Sequence, residues 1–474
     1  MATTAKDADR AFLGHPKGLG YIAATEMWER FSYYGMQTLL VLYMVHQLLL
    51  PGHVENVAGF DAARSFFQTI YGHGQALSTA ALASAIFGFY ASTVYLTPLL
   101  GGLLADRVLG RTWTIILGGS LMALGHFLMA FDVTFLLALI CLMLGAGCFK
   151  GNLAAQVGSM YAEGDKRRAD AFQIYYLGIN AGVIVSPFVT GTLGEKVAWH
   201  YGFGAAGVGM VIALIIYLIG RRHLPADPPR GAGARAAADA APPMTGREWA
   251  VVILLLALLP VLALSIVGNN QIFNAYLLWA ESSVDLRLFG QPILTTWLIS
   301  VDSIVSVATL ALMVWFWRRW SKRFPEPDEL GKMVIGCLIA AAGVACLAFG
   351  SSLAAQSGQK VHFGWLLAFH LFNDIGFANI LPVGLALYVR AAPRAIAGFV
   401  VGLYYLQLWA GNTLVGFLGG LREQMPAPQF WLLHAGLVAA AGVILLLVRL
   451  VYGHLLLGEP SQPDIVAADA GEMP

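Results

Sequence analysis

Twelve stretches of about 20 predominantly apolar residues recur along this chain, the length an α-helix needs to cross the hydrocarbon core of a bilayer. In lipid every backbone polar group must find its partner within the segment, so such stretches are restricted to helices. The spans lie near 19–46, 80–103, 112–131, 135–158, 172–194 and 203–220, then 249–280, 292–317, 332–350, 363–389, 396–420 and 429–453. Composition agrees: 58% of the residues are hydrophobic and 12% charged, about half the charged share of an average soluble domain. The predicted fold class is therefore an all-α polytopic membrane protein, with six helices in 1–220, a linker at 221–248 and six helices in 249–474. The linker is rich in Pro, Ala, Gly and Arg and repeats no apolar period.

Of the 28 Lys and Arg residues, Arg30 and Lys150 fall inside spans, and Arg64, Lys196, Arg287, Lys360 and Arg422 occupy one set of alternate loops. The rest crowd the other set. By the positive-inside rule this places both termini and the linker in the cytoplasm of a cell-membrane protein. The first span is too long and too charged for a cleaved signal peptide. The basic residues flank spans and form no patch suited to nucleic acid, so no such partner is expected. Cys141, Cys148, Cys337 and Cys346 sit within apolar spans as packing residues. His126 has no second histidine at ligand spacing, and no nucleophile elbow, phosphate loop or zinc motif occurs, so neither an enzyme nor a metal or other cofactor is expected.

The first span carries the costliest residues. Glu26, Glu29, Arg30, Tyr33, Tyr34 and Gln37 follow spacings of three and four, which stack them on one side of a helix. A charge near the bilayer centre costs roughly 2.5 to 3.5 kcal/mol on insertion scales and usually marks a substrate or ion path. The stripe should therefore face a polar cavity. The structural alternative is a static salt bridge that fixes helix packing. With Lys150, Asp302 and Asp374, the spans hold four acids and two bases, so moving a base toward or away from an acid could couple proton release to conformation.

Two six-span halves joined by a linker suggest major facilitator architecture, with a site near the midplane between halves. Gly102-Leu103-Leu104-Ala105-Asp106-Arg107-Val108-Leu109-Gly110-Arg111 resembles the loop signature of that superfamily, with Asp106 and the arginines available to pair with helix ends. Glu26-Met27-Trp28-Glu29-Arg30-Phe31-Ser32-Tyr33-Tyr34-Gly35 and Phe172-Gln173-Ile174-Tyr175-Tyr176-Leu177-Gly178-Ile179-Asn180-Ala181-Gly182 resemble the proton-dependent oligopeptide transporter family. Tyr95 to Gly102, Phe149-Lys150-Gly151-Asn152 and Pro382-Val383-Gly384-Leu385 support the resemblance. Many bacterial members carry two extra helices between the halves, for which the linker here is too short.

The resemblance implies proton-driven import of short peptides by alternating access, with protons as the coupling ion and a monomer as the working unit. It implies that Tyr33, Tyr34, Tyr90, Asn180 and Asp302 line the peptide pocket. Independently, a zwitterionic peptide needs a fixed cation, a fixed anion and aromatic walls. Arg30 and Lys150 supply the first, and Tyr33, Tyr34, Tyr90 and Trp409 the last. The chain also departs from the family pattern. Gln37 stands where members usually have Arg, and Asn270 or Gln271 where span seven usually has an acid, so an amide pair would replace a charged outer gate. Phe377 occupies the place of the span-ten glutamate, with Asp374 one turn earlier, and Asp302-Ser303 replaces Asn-Pro on span eight. The two aspartates are candidates for relocated substrate-binding and proton-carrying roles. Rival readings are a carrier of amino acids, nitrate or another anion, a polytopic membrane enzyme, and a peptide receptor that does not transport.

Overall fold

The computed structural model describes residues 10–162, 165–227, 244–288, 290–393 and 396–457. Most of the expected linker, at 228–243, and the chain ends lie outside the described residues. Span one runs Lys17–Tyr43 and closes in a π turn at Met44–Leu48. Spans two to six are Thr79–Leu104, Arg111–Leu128, Phe135–Ser159, Arg167–Ser186 and Trp199–Gly220. Span seven is Gly246–Asn270, broken at Gln271–Phe273 before Ala275–Ser283. Spans eight, nine, ten and twelve are Trp297–Trp320, Glu329–Ser357, Gly364–Ala391 and Ala427–Leu456, and span eleven is split into Ala397–Tyr404 and Leu406–Gly419. Nine of these helical stretches are individually long and apolar enough to cross a membrane. The other three are span one with its polar stripe, the short span three and the divided span eleven, and together they complete a twelve-helix major facilitator fold.

The helix starts follow local chemistry. Ser78 and Asp328 accept from backbone N–H groups of Ala81 and Gly331, and Thr245 with Glu248 forms a reciprocal capping box at span seven. Asp227 accepts from the backbone and hydroxyl of Thr112, holding the start of span three. Asp106 and Arg107, expected to pair with helix ends or neighbouring helices in one conformation and release them in another, are exposed here and form no ion pair among the described residues.

The two halves repeat one packing pattern. In the first, span one packs on five and six, span three on four and six, and span two on four. In the second, span seven packs on eleven and twelve, nine on ten and twelve, and eight on ten. Small residues permit the close approaches, since lipid offers no hydrophobic drive between helices. A Cβ on Gly376 of span ten would stand 2.5 Å from the Gly336 carbonyl of span nine.

The halves meet through spans two and eleven and spans five and eight, at the ends far from the termini. A Cβ on Gly88 would stand 2.4 Å from the Cα of Gly416. Glu195 accepts from the backbone N–H of Thr296 at 2.8 Å, Trp297 donates to Thr192 at 3.0 Å, and Ser84 donates to Asn274 at 3.0 Å. His46 and Glu281 meet at 2.8 Å on the same side. Two features were not anticipated. A helix at Phe60–Tyr71 buries Phe60, Phe67 and Tyr71 between spans one and two, and Val284–Asp285 pairs in parallel with Val361–His362.

Candidate functional site

The polar stripe of span one folds as its spacing predicts. Arg30 forks between two carboxylates, with Nη2 2.6 Å from Glu26 Oε1 and Nε 3.1 Å from Glu29 Oε2. Both glutamates are fully buried, and Glu26 Oε2 and both oxygens of Glu29 have no hydrogen-bond partner. The arginine exposes 12% of its side chain. Lys150 of span four stands over the Tyr33 ring, 3.6 Å from its centroid, and 6.0 Å from that of Tyr95. It forms no ion pair among the described residues.

A cavity of about 280 Å³ lies between the halves. Spans one, two and five contribute Tyr34, Gln37, Tyr95, Tyr176 and Asn180. Spans seven, eight, ten and eleven contribute Asn269, Asn270, Asp302, Asp374, Phe377 and Asn412. The cavity thus brings together Tyr34, Gln37, Asn180, Asn270, Asp302 and Asp374 from the sequence reading. The others stand elsewhere. Gln271 is buried and donates to the Val415 carbonyl, with His434 Nε2 at 3.0 Å, so it is held against spans eleven and twelve and away from Gln37. Trp409 is 39% exposed and off the cavity lining. Tyr90 is buried in span two with its hydroxyl unpartnered. Tyr33 serves as the platform for Lys150.

Gln37 also carries an unpartnered, buried Oε1. Tyr34 packs on Phe273 at 5.8 Å, across the boundary between halves. On the opposite wall Asp374 is 2% exposed, takes a hydrogen bond from Asn373 at 3.3 Å on Oδ1, and keeps Oδ2 without a partner. Asp302 Oδ1 lies 2.8 Å from His370 Nδ1, and His370 Nε2 lies 2.7 Å from the Tyr276 hydroxyl. Ligand-type atoms of Asp302, His370 and Asp374 all fall within 4.8 Å of one another. Both imidazole nitrogens are already hydrogen-bonded, so neither presents a free lone pair to a metal ion. His370 was absent from the sequence reading, although it stands four residues before Asp374 on the same helix face. Tyr95, Tyr176 and Asn412 were likewise missed as lining residues.

The POT family model (PTR2) matches residues 112–247 and 247–432. The peptide transporter YePEPT of Yersinia enterocolitica subsp. palearctica serotype O:3 (strain YE-P4) is 29% identical over 94% of this chain and 97% of its own. A di-/tripeptide transporter of Lactococcus lactis subsp. cremoris is 26% identical over 93% of this chain and 96% of its own. Among solved structures, a peptide transporter POT in complex with sulfate superposes with a TM-score of 0.79 at 26% identity, covering 96% of this chain and 99% of that one. A variant of a peptide transporter POT in complex with alafosfalin gives 0.78 at 26% identity, over 96% and 99%. With the family model spanning most of its length, the chain belongs to the POT family.

Proposed function

We propose that this protein imports di- and tripeptides together with protons by alternating access across the cell membrane, as a monomer with both termini in the cytoplasm. One observation carries the reading: a polar cavity between the halves with Asp302 and Asp374 on its second-half wall and Tyr34, next to the cluster of Glu26, Glu29 and Arg30 on span one, on its first-half wall. A peptide zwitterion spans such a cavity, its carboxylate toward Arg30 and Lys150 and its ammonium toward Asp374. Tyr34, Tyr95, Tyr176 and Phe377 supply walls for variable side chains. The relatives named as peptide and di-/tripeptide transporters support the substrate class.

On this topology the contacts at Glu195, Ser84 and Gly88 close the outer side. Proton transfer is assigned to the carboxylates of Glu26 and Glu29 with Arg30 and Lys150, whose charges compete for the same small volume. In this outer-closed state Arg30 holds both acids while Lys150 rests on Tyr33. A proton on Glu29 would free Arg30 for a substrate carboxylate, and a departing substrate would restore the fork.

Phe377 in the place of the family's glutamate keeps open a second reading, transport of an amino acid, nitrate or another small anion. The experiment that separates them is uptake into proteoliposomes of labelled di- and tripeptides, amino acids and nitrate, with and without an inward proton gradient. Gradient-stimulated uptake confined to the peptides supports the proposal, and uptake confined to another solute overturns it.

A further inference from the structure

Resting on the proposed proton-coupled reading, we infer that the second half holds its own proton-binding site, at His370 between Asp302 and Tyr276. The three side chains come from spans ten, eight and seven and form an unbroken hydrogen-bonded line, Asp302 Oδ1 to His370 Nδ1 at 2.8 Å and His370 Nε2 to Tyr276 OH at 2.7 Å. His370 and Tyr276 are fully buried, whereas Asp302 reaches the cavity wall beside Asp374. The line runs from the cavity into the helix packing.

One hydrogen-bond assignment satisfies all three side chains. With Asp302 ionised, Nδ1–H donates to it and the Tyr276 hydroxyl donates to Nε2, so a neutral imidazole is satisfied at both nitrogens. An added proton bonds to Nε2, on the side of the ring that faces Tyr276. The phenol then turns its oxygen toward that N–H and accepts from it. Release reverses both movements, and no other bond forms or breaks.

Charge balance ties this site to the substrate. Asp302 and Asp374 place two carboxylates beside one cavity, and Asp374 Oδ2 has no partner. Among the described residues no Lys or Arg pairs with either aspartate, Arg30 being held by Glu26 and Glu29 on the other half: span seven has no charged residue between Glu248 and Glu281, span nine none after Lys332, and span five none between Asp170 and Glu195. Within span ten, Asp374 and Arg390 are the charged residues. The further ionisable side chains lining the cavity or this line are Tyr34, Tyr95, Tyr176 and Tyr276. Two positive charges are therefore wanted, the imidazolium of His370 and the substrate ammonium at Asp374. Each lowers the cost of binding the other, so proton and free-amino peptide bind together, which is the requirement for symport.

The test compares wild type with His370→Gln and Tyr276→Phe in proteoliposomes and by calorimetry in two buffers of different ionisation enthalpy. Wild type should take up protons on binding a free-amino dipeptide and fewer on binding its amino-blocked analogue. His370→Gln should lose gradient-driven accumulation at least tenfold, keep counterflow within about twofold, and show the reduced proton uptake for both peptides. Equal accumulation and an unchanged pH profile in His370→Gln would overturn the inference while leaving peptide symport intact. Absence of any gradient response in wild type would overturn both. Should His370→Gln also lose counterflow, Tyr276→Phe decides, because it removes a single hydroxyl: a shifted pH midpoint of binding supports the site and an unshifted one overturns it. Loss of wild-type uptake on adding a chelator, restored by a divalent cation, would overturn the proton assignment in favour of a metal ion.

Discussion

The ammonium of Lys150 lies 3.6 Å from the centroid of the Tyr33 ring, on the helix that carries Glu26 and Glu29, yet forms no ion pair with either among the described residues. An aromatic face offers a cation about 0.5 to 2 kcal/mol, less than a buried carboxylate would. Lys150 is thus the less tightly held of the two bases. Arg30 is already engaged by Glu26 and Glu29.

Coupling should therefore depend on all four charges. Glu26→Gln, Glu29→Gln and Lys150→Ala are each expected to abolish gradient-driven peptide accumulation in proteoliposomes while sparing some counterflow exchange, which moves no net proton. Unchanged accumulation in all three variants would reduce the cluster to a structural bridge.

Gln37 and Asn270 line the same cavity from opposite halves, and Gln37 Oε1 lacks a partner. Gln37→Arg alone should impair transport, because it introduces a charge without its counterpart at a cost of several kcal/mol. Adding Asn270→Glu should restore part of the rate. Adding Gln271→Glu should not, since Gln271 is bound to Val415 and His434. Uptake rates of the two double variants decide the point.

Asp374 has the geometry to receive an ammonium, with one carboxylate oxygen unpartnered in the cavity wall. Asp374→Asn should weaken peptides with a free amino terminus by about 1.5 to 3 kcal/mol, the range of a charge-assisted hydrogen bond. Amino-blocked peptides should change far less. Competition binding with a matched pair of peptides measures both, and equal losses would assign Asp374 a structural role.

A separate prediction concerns stability. Asp328 caps span nine through the Gly331 N–H at 2.7 Å and takes Arg449 Nε of span twelve at 2.9 Å. Partial burial pushes this carboxyl up, but the hydrogen bonds from Arg449 and Gly331 outweigh it and hold the carboxyl below its ordinary range. A depressed carboxyl adds stability at pH values above its unfolded value, about 3.9, that is lost as pH falls through the folded value. Asp328→Asn keeps a cap but not the charge, and should flatten the acid side of the thermal-stability profile. Asp328→Ala should lose about 1 kcal/mol more. Thermal unfolding of detergent-solubilised protein between pH 3 and pH 8 checks both.

The fold was legible because membrane spans announce themselves by length and apolarity, and the stripe on span one because its residues share a single helix. Glu26, Glu29 and Arg30 needed only a spacing of three or four to be placed together. The break in span seven at Gln271–Phe273 had a local signal in Gly268-Asn269-Asn270-Gln271 and Asn274, but those amides were read as gate residues and not as a turn. The helix at Phe60–Tyr71 is shorter than a span and went unseen for that reason. His370 was missed because its meaning arises from three helices meeting, and along the chain it is one histidine among apolar neighbours. Trp409 shows the converse: an aromatic residue on an apolar span reads equally well as a pocket wall or a lipid-facing ring, and here it is exposed off the cavity.

The most direct test of the central claim loads proteoliposomes with a pH-sensitive dye, sets equal pH on both sides, and adds dipeptide outside under an inside-negative potential. Symport predicts that the lumen acidifies with the added peptide, saturably, and that Glu29→Gln abolishes the signal. Peptide entry with no change in lumenal pH would contradict the account.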